Sequence, residues 1–418
     1  MEASNGQHRL AGLARQAGRG PRWAAAAAGA LALALSMGGT ARSQEPLKLG
    51  VLNDLTGAFA DLGGTGSVVA AQMAVDDFGG QVLGRKIAVI SADSQNKPDV
   101  ATGIARRWFD AEKVDVILDP VPSAVALSIN SLARERNKVV IIASSGLSDL
   151  TGKGCAPTSF QWAYDTSVLA NGTASTVVKD GGKNWYLITA DVAFGYSLAN
   201  ESKAVVLANG GAVKGEAKHP YITSDFSSYI LQAQASGADV VALADSGTDT
   251  TNAIKQAIEF GIGEGGTRLV ALLAFITQIK SLDLERAKGL LLTESFYWDL
   301  NDETRAWSKR FGARFGGLMP SMAQAAVYSG VSHYLKAVAA AGTTDGMTVA
   351  DKMRELPISD FMIKNGRARR DGRVVHDFYL FQVKAPGESK GPWDLYKLVR
   401  TIPAAEVTPP EGSTGCPF

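Results

Sequence analysis

Two serine-bearing stretches stand at the ends of apolar, strand-forming runs. Ser123 directly precedes a helix-forming run that starts at Ala124, and Ser144-Ser145-Gly146 follows the β-branched run 139–143. Hydroxyls and backbone N–H groups at such places suit a carboxylate. A helix N-terminus presents unpaired donors and a partial positive charge, so no Lys or Arg is required. Gly146 has no side chain and lets a ligand approach its backbone closely. The plainer reading of the same residues is a helix N-cap at Ser123 and a polar turn at 144–146. The residues alone favour this plainer reading. Phe275 follows the apolar run 269–273, and Tyr297-Trp298 lies further on. Such aromatic faces either cover an apolar ligand body or fill ordinary core.

Other chemistry finds little support. His219, His333 and His376 are scattered without metal-ligand spacing and read as structural. No G-x-S-x-G turn accompanies them, which argues against a serine hydrolase. Gly64-Thr65-Gly66 begins a dinucleotide-type pattern, but Val69 stands where the third glycine belongs. We expect no catalytic residue, no metal and no cofactor.

The elements that must position these residues alternate. Strands are predicted over 47–52, 87–92, 115–118 and 139–143, with helices over 67–78, 99–112 and 124–136 between them. A second series follows about residue 165. It has helices over 169–179, 196–209, 226–235 and 249–260, and strands over 185–189, 240–244 and 269–273. Helices over 302–315 and 322–341 and a strand over 377–383 come last. This rhythm implies parallel sheets covered on both faces and joined by right-handed crossovers. Two series of similar size imply two lobes: 44–166 plus 298–378 in the first, and 167–297 plus 379–418 in the second. The late elements return the chain between lobes, making a multi-stranded hinge; Trp162 and Tyr164 stand just before the first crossover. In open α/β sheets, ligands sit beyond the carboxyl ends of the strands, which is where the serines fall.

Residues 1–43 read as a cleaved export signal. Four arginines precede an Ala/Leu-rich run over 23–37 that is too short to span a membrane, and Ala41-Arg42-Ser43 offers a cleavage site. The whole chain has 42 Lys and Arg against 41 Asp and Glu. Five of the arginines and one glutamate lie in this segment, so the remainder is slightly acidic. That balance argues against nucleic acid as a partner. In an oxidising compartment the two cysteines, Cys155 and Cys416, most simply pair with each other. The basic run 364–373, KNGRARRDGR, reads as a solvated turn.

The segments GVLNDLTGAFADLGG (50–64), DPVPSAVALSI (119–129), VVIIASSGLSDLTGKGCAP (139–157), DVAFGYS (191–197) and DVVALADSGTD (239–249) carry a resemblance. In order and spacing they resemble the periplasmic binding proteins of the leucine/isoleucine/valine-binding type, the extracytoplasmic receptors of ABC importers. The likeness covers 44–418. ASSGLSDLTGK followed by FQWAYDTSVLANGT (160–173) resembles a subgroup associated with aromatic and related small acids. The resemblance implies a type I periplasmic binding fold, α/β with two Rossmann-like lobes and a ligand cleft that closes between them. It implies that Ser123 and 144–146 hold a ligand carboxylate, and that Phe194 covers the ligand from the second lobe.

Two departures narrow the guest. Amino-acid-binding members use an acid after a second-lobe strand for the ligand ammonium; the matching place here falls near Leu273. Their first-loop tyrosine falls near Leu62. Asp245 or Ser246, after the strand 240–244, remains as a polar partner. An unpaired ammonium would be costly to desolvate. The expected function is therefore a monomeric periplasmic receptor, not an enzyme, that captures a small organic acid and hands it to an ABC permease. Candidate ligand-binding residues are Ser123, Ser144, Ser145, Gly146, Phe194, Asp245, Ser246, Phe275 and Trp298. A sensing module for a membrane kinase or chemoreceptor, and an exported hydrolase, are the alternative classes.

Overall fold

A computed structural model describes residues 45–263 and 266–418; the expected export signal lies outside them. The first sheet has six strands: β1 (Leu47–Asn53), β2 (Gln81–Val82), β3 (Arg85–Asp93), β4 (Val116–Leu118), β5 (Val139–Ile142) and β6 (Ser159–Gln161). Their spatial order is β2-β3-β1-β4-β5-β6, parallel except for the β2–β3 hairpin. β4 and β5 are buried along their whole length. Helices cover both faces of such a sheet, so its central strands read as unbroken apolar runs.

The second sheet holds β7 (Asn184–Ala190), β8 (Ala212–His219), β9 (Val240–Ala244) and β10 (Arg268–Ala271), parallel in the order β10-β9-β7-β8. β8 is half-exposed and rich in Lys, Glu and Gly. An edge strand of this composition gives no apolar run, and the periodicity passes over it. Beyond a two-residue hairpin of β12 (Arg367–Ala368) and β13 (Val374–Val375), the later strands make an antiparallel sheet. It joins β11 (Leu291–Glu294), β14 (Phe378–Val383) and β15 (Tyr396–Ile402) in the order β11-β14-β15. This departs from an all-parallel expectation and adds a third, smaller layer.

The Asp302–Arg314 and Met322–Ala341 helices return to the first sheet. Arg310 and Arg314 pair with Asp77 and Asp76 at the end of the Gly64–Phe78 helix, and Tyr328 donates to Asp77 at 2.6 Å. Cys155 and Cys416 are joined, fastening the chain's last residues beside the loop after β5. The basic run is only partly solvated. Lys364, Arg367 and Arg370 are exposed, but Arg369 and Arg373 are buried and paired with Asp371 and Asp165. A guanidinium that finds a carboxylate and further acceptors can be buried, which run composition does not reveal. Among the described residues no helix is long and apolar enough to cross a membrane.

Candidate ligand-binding cleft

The loops at the carboxyl ends of the first sheet form one wall of a cavity. Pro122 takes the cap position of the Ser123–Glu135 helix without any side-chain cap bond, so Ser123 is its first residue rather than its cap. The first bond to the helix backbone runs from the Ala126 N–H to the Pro122 carbonyl at 3.0 Å. The N–H groups of Ser123, Ala124 and Val125 therefore have no acceptor within the helix. One strand over, the Ser144 N–H donates to Asp119 Oδ1 at 2.8 Å. The Ser144 hydroxyl lies buried beside that carboxylate without a hydrogen-bond partner of sound geometry. Asp119 also accepts from Asn53 Nδ2 at 2.9 Å and Ser67 Oγ at 2.6 Å. Burial pushes its carboxyl above the usual range, against the pull of these donors. Asp119 thus holds the Ser144 loop in place from below.

Ser145 differs from Ser144. Its hydroxyl donates to the Pro120 carbonyl at 2.7 Å and is committed to joining the two loops. Gly146 is needed for space. A Cβ there would strike the Tyr164 ring and come within 3.2 Å of Phe194. Tyr164 donates its hydroxyl to the Ser144 carbonyl at 2.7 Å, so the ring that lines the cavity also braces the loop.

The opposite wall comes from the carboxyl ends of β7, β8, β9 and β10. Phe194 is the second residue of the Ala193–Ala208 helix, which begins three residues before the predicted start at 196. Tyr221 follows β8, Ser246 follows β9 and Leu273 follows β10. Tyr221 stacks on Phe59 of the first wall with centroids 6.2 Å apart and planes 16° apart. The cavity between the walls is partly open and measures about 210 Å³, and no charged side chain lines it. That is below the roughly 300–1,000 Å³ usual for drug-sized ligands, so it fits a small guest.

Of the residues singled out from sequence, Ser123, Ser144, Ser145, Gly146, Phe194 and Ser246 line this one cavity. Three others stand elsewhere. Asp245 is wholly buried behind the wall and accepts from Thr250 Oγ1 at 2.6 Å; successive residues at a strand end face opposite ways, and Ser246 takes the cavity side. Phe275 sits one layer back, its ring edge-on to Tyr164 at 5.8 Å. Trp298 belongs to the antiparallel sheet's surroundings, where its Nε1 donates to the Trp393 carbonyl at 2.7 Å. Leu62 and Leu273, the two apolar departures, both line the cavity. Phe59 lines it from the first loop, 54–62, which the sequence reads as ligand-facing; Asn96, Tyr164 and Tyr221 also line it and were missed as ligand residues. Asn96 had a signal, since it follows a predicted strand; Tyr221 had none, because β8 was not read.

Behind Ser246 lies a second polar group. His219 and Asp245 face each other at 3.9 Å, both fully buried. Burial pushes the Asp245 carboxyl up to about 7, the Asp249 charge adding and the Thr250 donor opposing. Burial lowers His219, whose Nδ1 is satisfied by the Pro220 carbonyl at 3.0 Å. The carbonyl can only accept, so Nδ1 carries the proton and Nε2 faces Asp245 without one. Both shifts favour the uncharged forms of the acid and the imidazole behind this wall.

No described cluster of His, Cys, Asp and Glu could hold a metal ion. Residues 46–391 match the family model described as periplasmic binding protein. A crystal structure of a periplasmic binding protein from Burkholderia mallei is 47% identical, with a TM-score of 0.86, covering 89% of this chain and 98% of that one. A second, described as a branched chain amino acid ABC transporter periplasmic ligand-binding protein from Burkholderia xenovorans LB400, is 37% identical. Its TM-score is 0.82, over 89% of this chain and 99% of that one. A solute binding protein of an ABC transporter from R. palustris, solved in complex with benzoate, shares the fold at 21% identity. Its TM-score is 0.79, over 89% of this chain and 100% of that one.

Proposed function

Since the chain belongs to the periplasmic binding proteins of the leucine/isoleucine/valine-binding type, which serve ABC transporters, we propose that its ligand is a small carboxylate with an apolar or aromatic body. Ser144 is the observation that carries this reading. Its buried hydroxyl, without a partner of sound geometry, stands beside the free N–H groups of the Ser123–Glu135 helix, in a cavity without a charged side chain. A carboxylate supplies the acceptors these donors lack, and the helix terminus favours its charge. Phe59, Phe194 and Leu273 then cover the apolar body.

An α-amino acid fits this lining poorly. Its ammonium would be desolvated between Leu62 and Leu273 with no carboxylate in the lining, at a cost of several kcal/mol. The relatives' descriptions include both branched-chain amino acids and benzoate; the lining favours the second kind of guest. The working cycle is closure of two lobes on the acid and presentation of the closed form to a permease. The lobes comprise 44–166 with 298–378 and 167–297 with 379–418, and the protein acts as an exported monomer without a cofactor or catalytic step.

A thermal-shift screen of the protein against benzoate, hexanoate, leucine and valine tests the reading. A specific binder raises the melting temperature by linkage, by an amount set by concentration over Kd. The acids without an ammonium are expected to stabilise and the amino acids not. Stabilisation by leucine or valine alone would refute it.

A further inference from the structure

Two polar atoms in the cleft are left over after a carboxylate is seated. Tyr221 Oη and Asn96 Oδ1 are buried, have no hydrogen-bond partner, and belong to residues that line the same cavity as Ser144. Their chemistry is specific. Asn96 Nδ2 donates to Asp54 Oδ2 at 2.7 Å, which fixes the amide's orientation and leaves its oxygen as an acceptor only. The Asp54 carboxylate is itself held by the Gly57 and Phe59 N–H groups at 2.7 and 2.8 Å. The same loop presents Phe59 to stack on Tyr221. The Tyr221 ring is thereby oriented, and its hydroxyl can both donate and accept.

The sheet order separates Asn96 from the serines. Asn96 follows β3, whereas Ser123 follows β4 and Ser144 follows β5, and β1 lies between β3 and β4. At about 4.8 Å per strand, the β3 and β4 ends are two spacings apart and the β3 and β5 ends three, roughly 10–14 Å. An α-ammonium, one carbon from its carboxylate, does not reach that far. A group at the far end of the ligand does.

We propose that Tyr221 and Asn96 form a second polar subsite that reads a hydroxyl at the end of the ligand remote from its carboxylate. The hydroxyl donates to Asn96 Oδ1 and accepts from Tyr221 Oη–H, so one small neutral group satisfies both. This rests on the carboxylate reading of the serine end and names the acid more closely: a terminally hydroxylated aryl or alkyl acid. An ω-ammonium can donate to both oxygens, but it leaves the Tyr221 O–H hydrogen without an acceptor and is desolvated in a lining without a carboxylate; an unsubstituted acid leaves both atoms unpaired. Leaving buried partners unpaired is what makes such sites selective.

Calorimetry with wild type and Tyr221→Phe tests this. The probes are benzoate and 4-hydroxybenzoate, hexanoate and 6-hydroxyhexanoate, and 6-aminohexanoate. Wild type is expected to favour the hydroxylated member of at least one pair by about tenfold or more. Tyr221→Phe should erase most of that gap by weakening the hydroxylated acid, while its parent binds at least as well as to wild type. If the parent acids bind as well as their hydroxylated forms, or the gap survives Tyr221→Phe, the subsite is refuted while the carboxylate reading stands. Tighter binding of 6-aminohexanoate also refutes it. If no acid binds at all, the carboxylate reading fails and the subsite falls with it.

Discussion

Two buried polar regions lie close together in this molecule and are built oppositely. At the crossover after β6, charge is buried and paired. Arg373 pairs with Asp165 and donates to Thr151 Oγ1 at 2.9 Å and Ser167 Oγ at 3.3 Å. Asp165 also accepts from the Val168 N–H and the Ser167 hydroxyl, which starts the next helix. Arg369 pairs with Asp371 and donates to the Pro409 carbonyl at 2.7 Å. Each guanidinium leaves only its Nε unpaired. In the cleft no side chain is charged, yet Ser144 Oγ, Asn96 Oδ1 and Tyr221 Oη are unpartnered around a void. Native proteins rarely leave buried polar atoms unpaired without a reason. On the proposed reading, the unpaired neutral atoms of the cleft mark where a guest is received, and the buried ion pairs mark where the chain is held together.

The largest expected effect breaks the holding region. Arg373→Met leaves Asp165 buried without its counter-charge, which typically costs about 3–5 kcal/mol. Urea unfolding should show that loss, while the folded fraction binds ligand within a few-fold of wild type. A loss of affinity with unchanged stability would reverse the roles assigned to the two regions.

Ser144→Ala is the complementary variant. It removes a hydroxyl that makes no sound internal bond, so folding stability should barely move. Affinity for the acid should fall by about 1–3 kcal/mol, the cost of leaving a buried carboxylate oxygen short of a donor. Calorimetry reads the second effect and urea unfolding the first.

Much of this contrast was legible in sequence at one end and hidden at the other. The apolar runs before Ser123 and Ser144 predict β4 and β5 and put both serines at strand ends, but only the family resemblance assigns them to a ligand; the residues alone favour a cap and a turn. Phe194 came from motif likeness rather than pattern. Tyr221 was hidden because β8 carries Lys, Glu and Gly on an edge and shows no apolar period. Arg373 was misread because the run 364–373 looks uniformly solvated, and only its tertiary partners Asp165 and Thr151, more than 200 positions away, make burial tolerable. Asp245 and Ser246 were equivalent in sequence. The side of the strand end each faces separated them, a matter of register that a single run of five apolar residues does not fix.

The smallest expected effect concerns the neutral pair behind the second wall. The Asp245 carboxyl is raised by burial to about 7 in the folded chain, against roughly 3.9 when unfolded. Below about pH 4 both states hold the proton. Between about 4 and 7 the folded state keeps a proton that the unfolded state has released, so Asp245 makes stability fall as pH rises; above 7 its contribution is constant. Asp245→Asn removes that term and keeps an acceptor for Thr250. The stability of the variant minus that of wild type should therefore grow from pH 4 to 7 and level off beyond. The ceiling is about 1.4 kcal/mol per pH unit, and the observed slope should fall well below it. Affinity should change no more than about twofold, because a neutral side chain behind the wall acts on a guest only weakly. A tenfold loss in the Asn variant would place Asp245 among the groups that meet the ligand, and the cleft would no longer be the uncharged member of the pair.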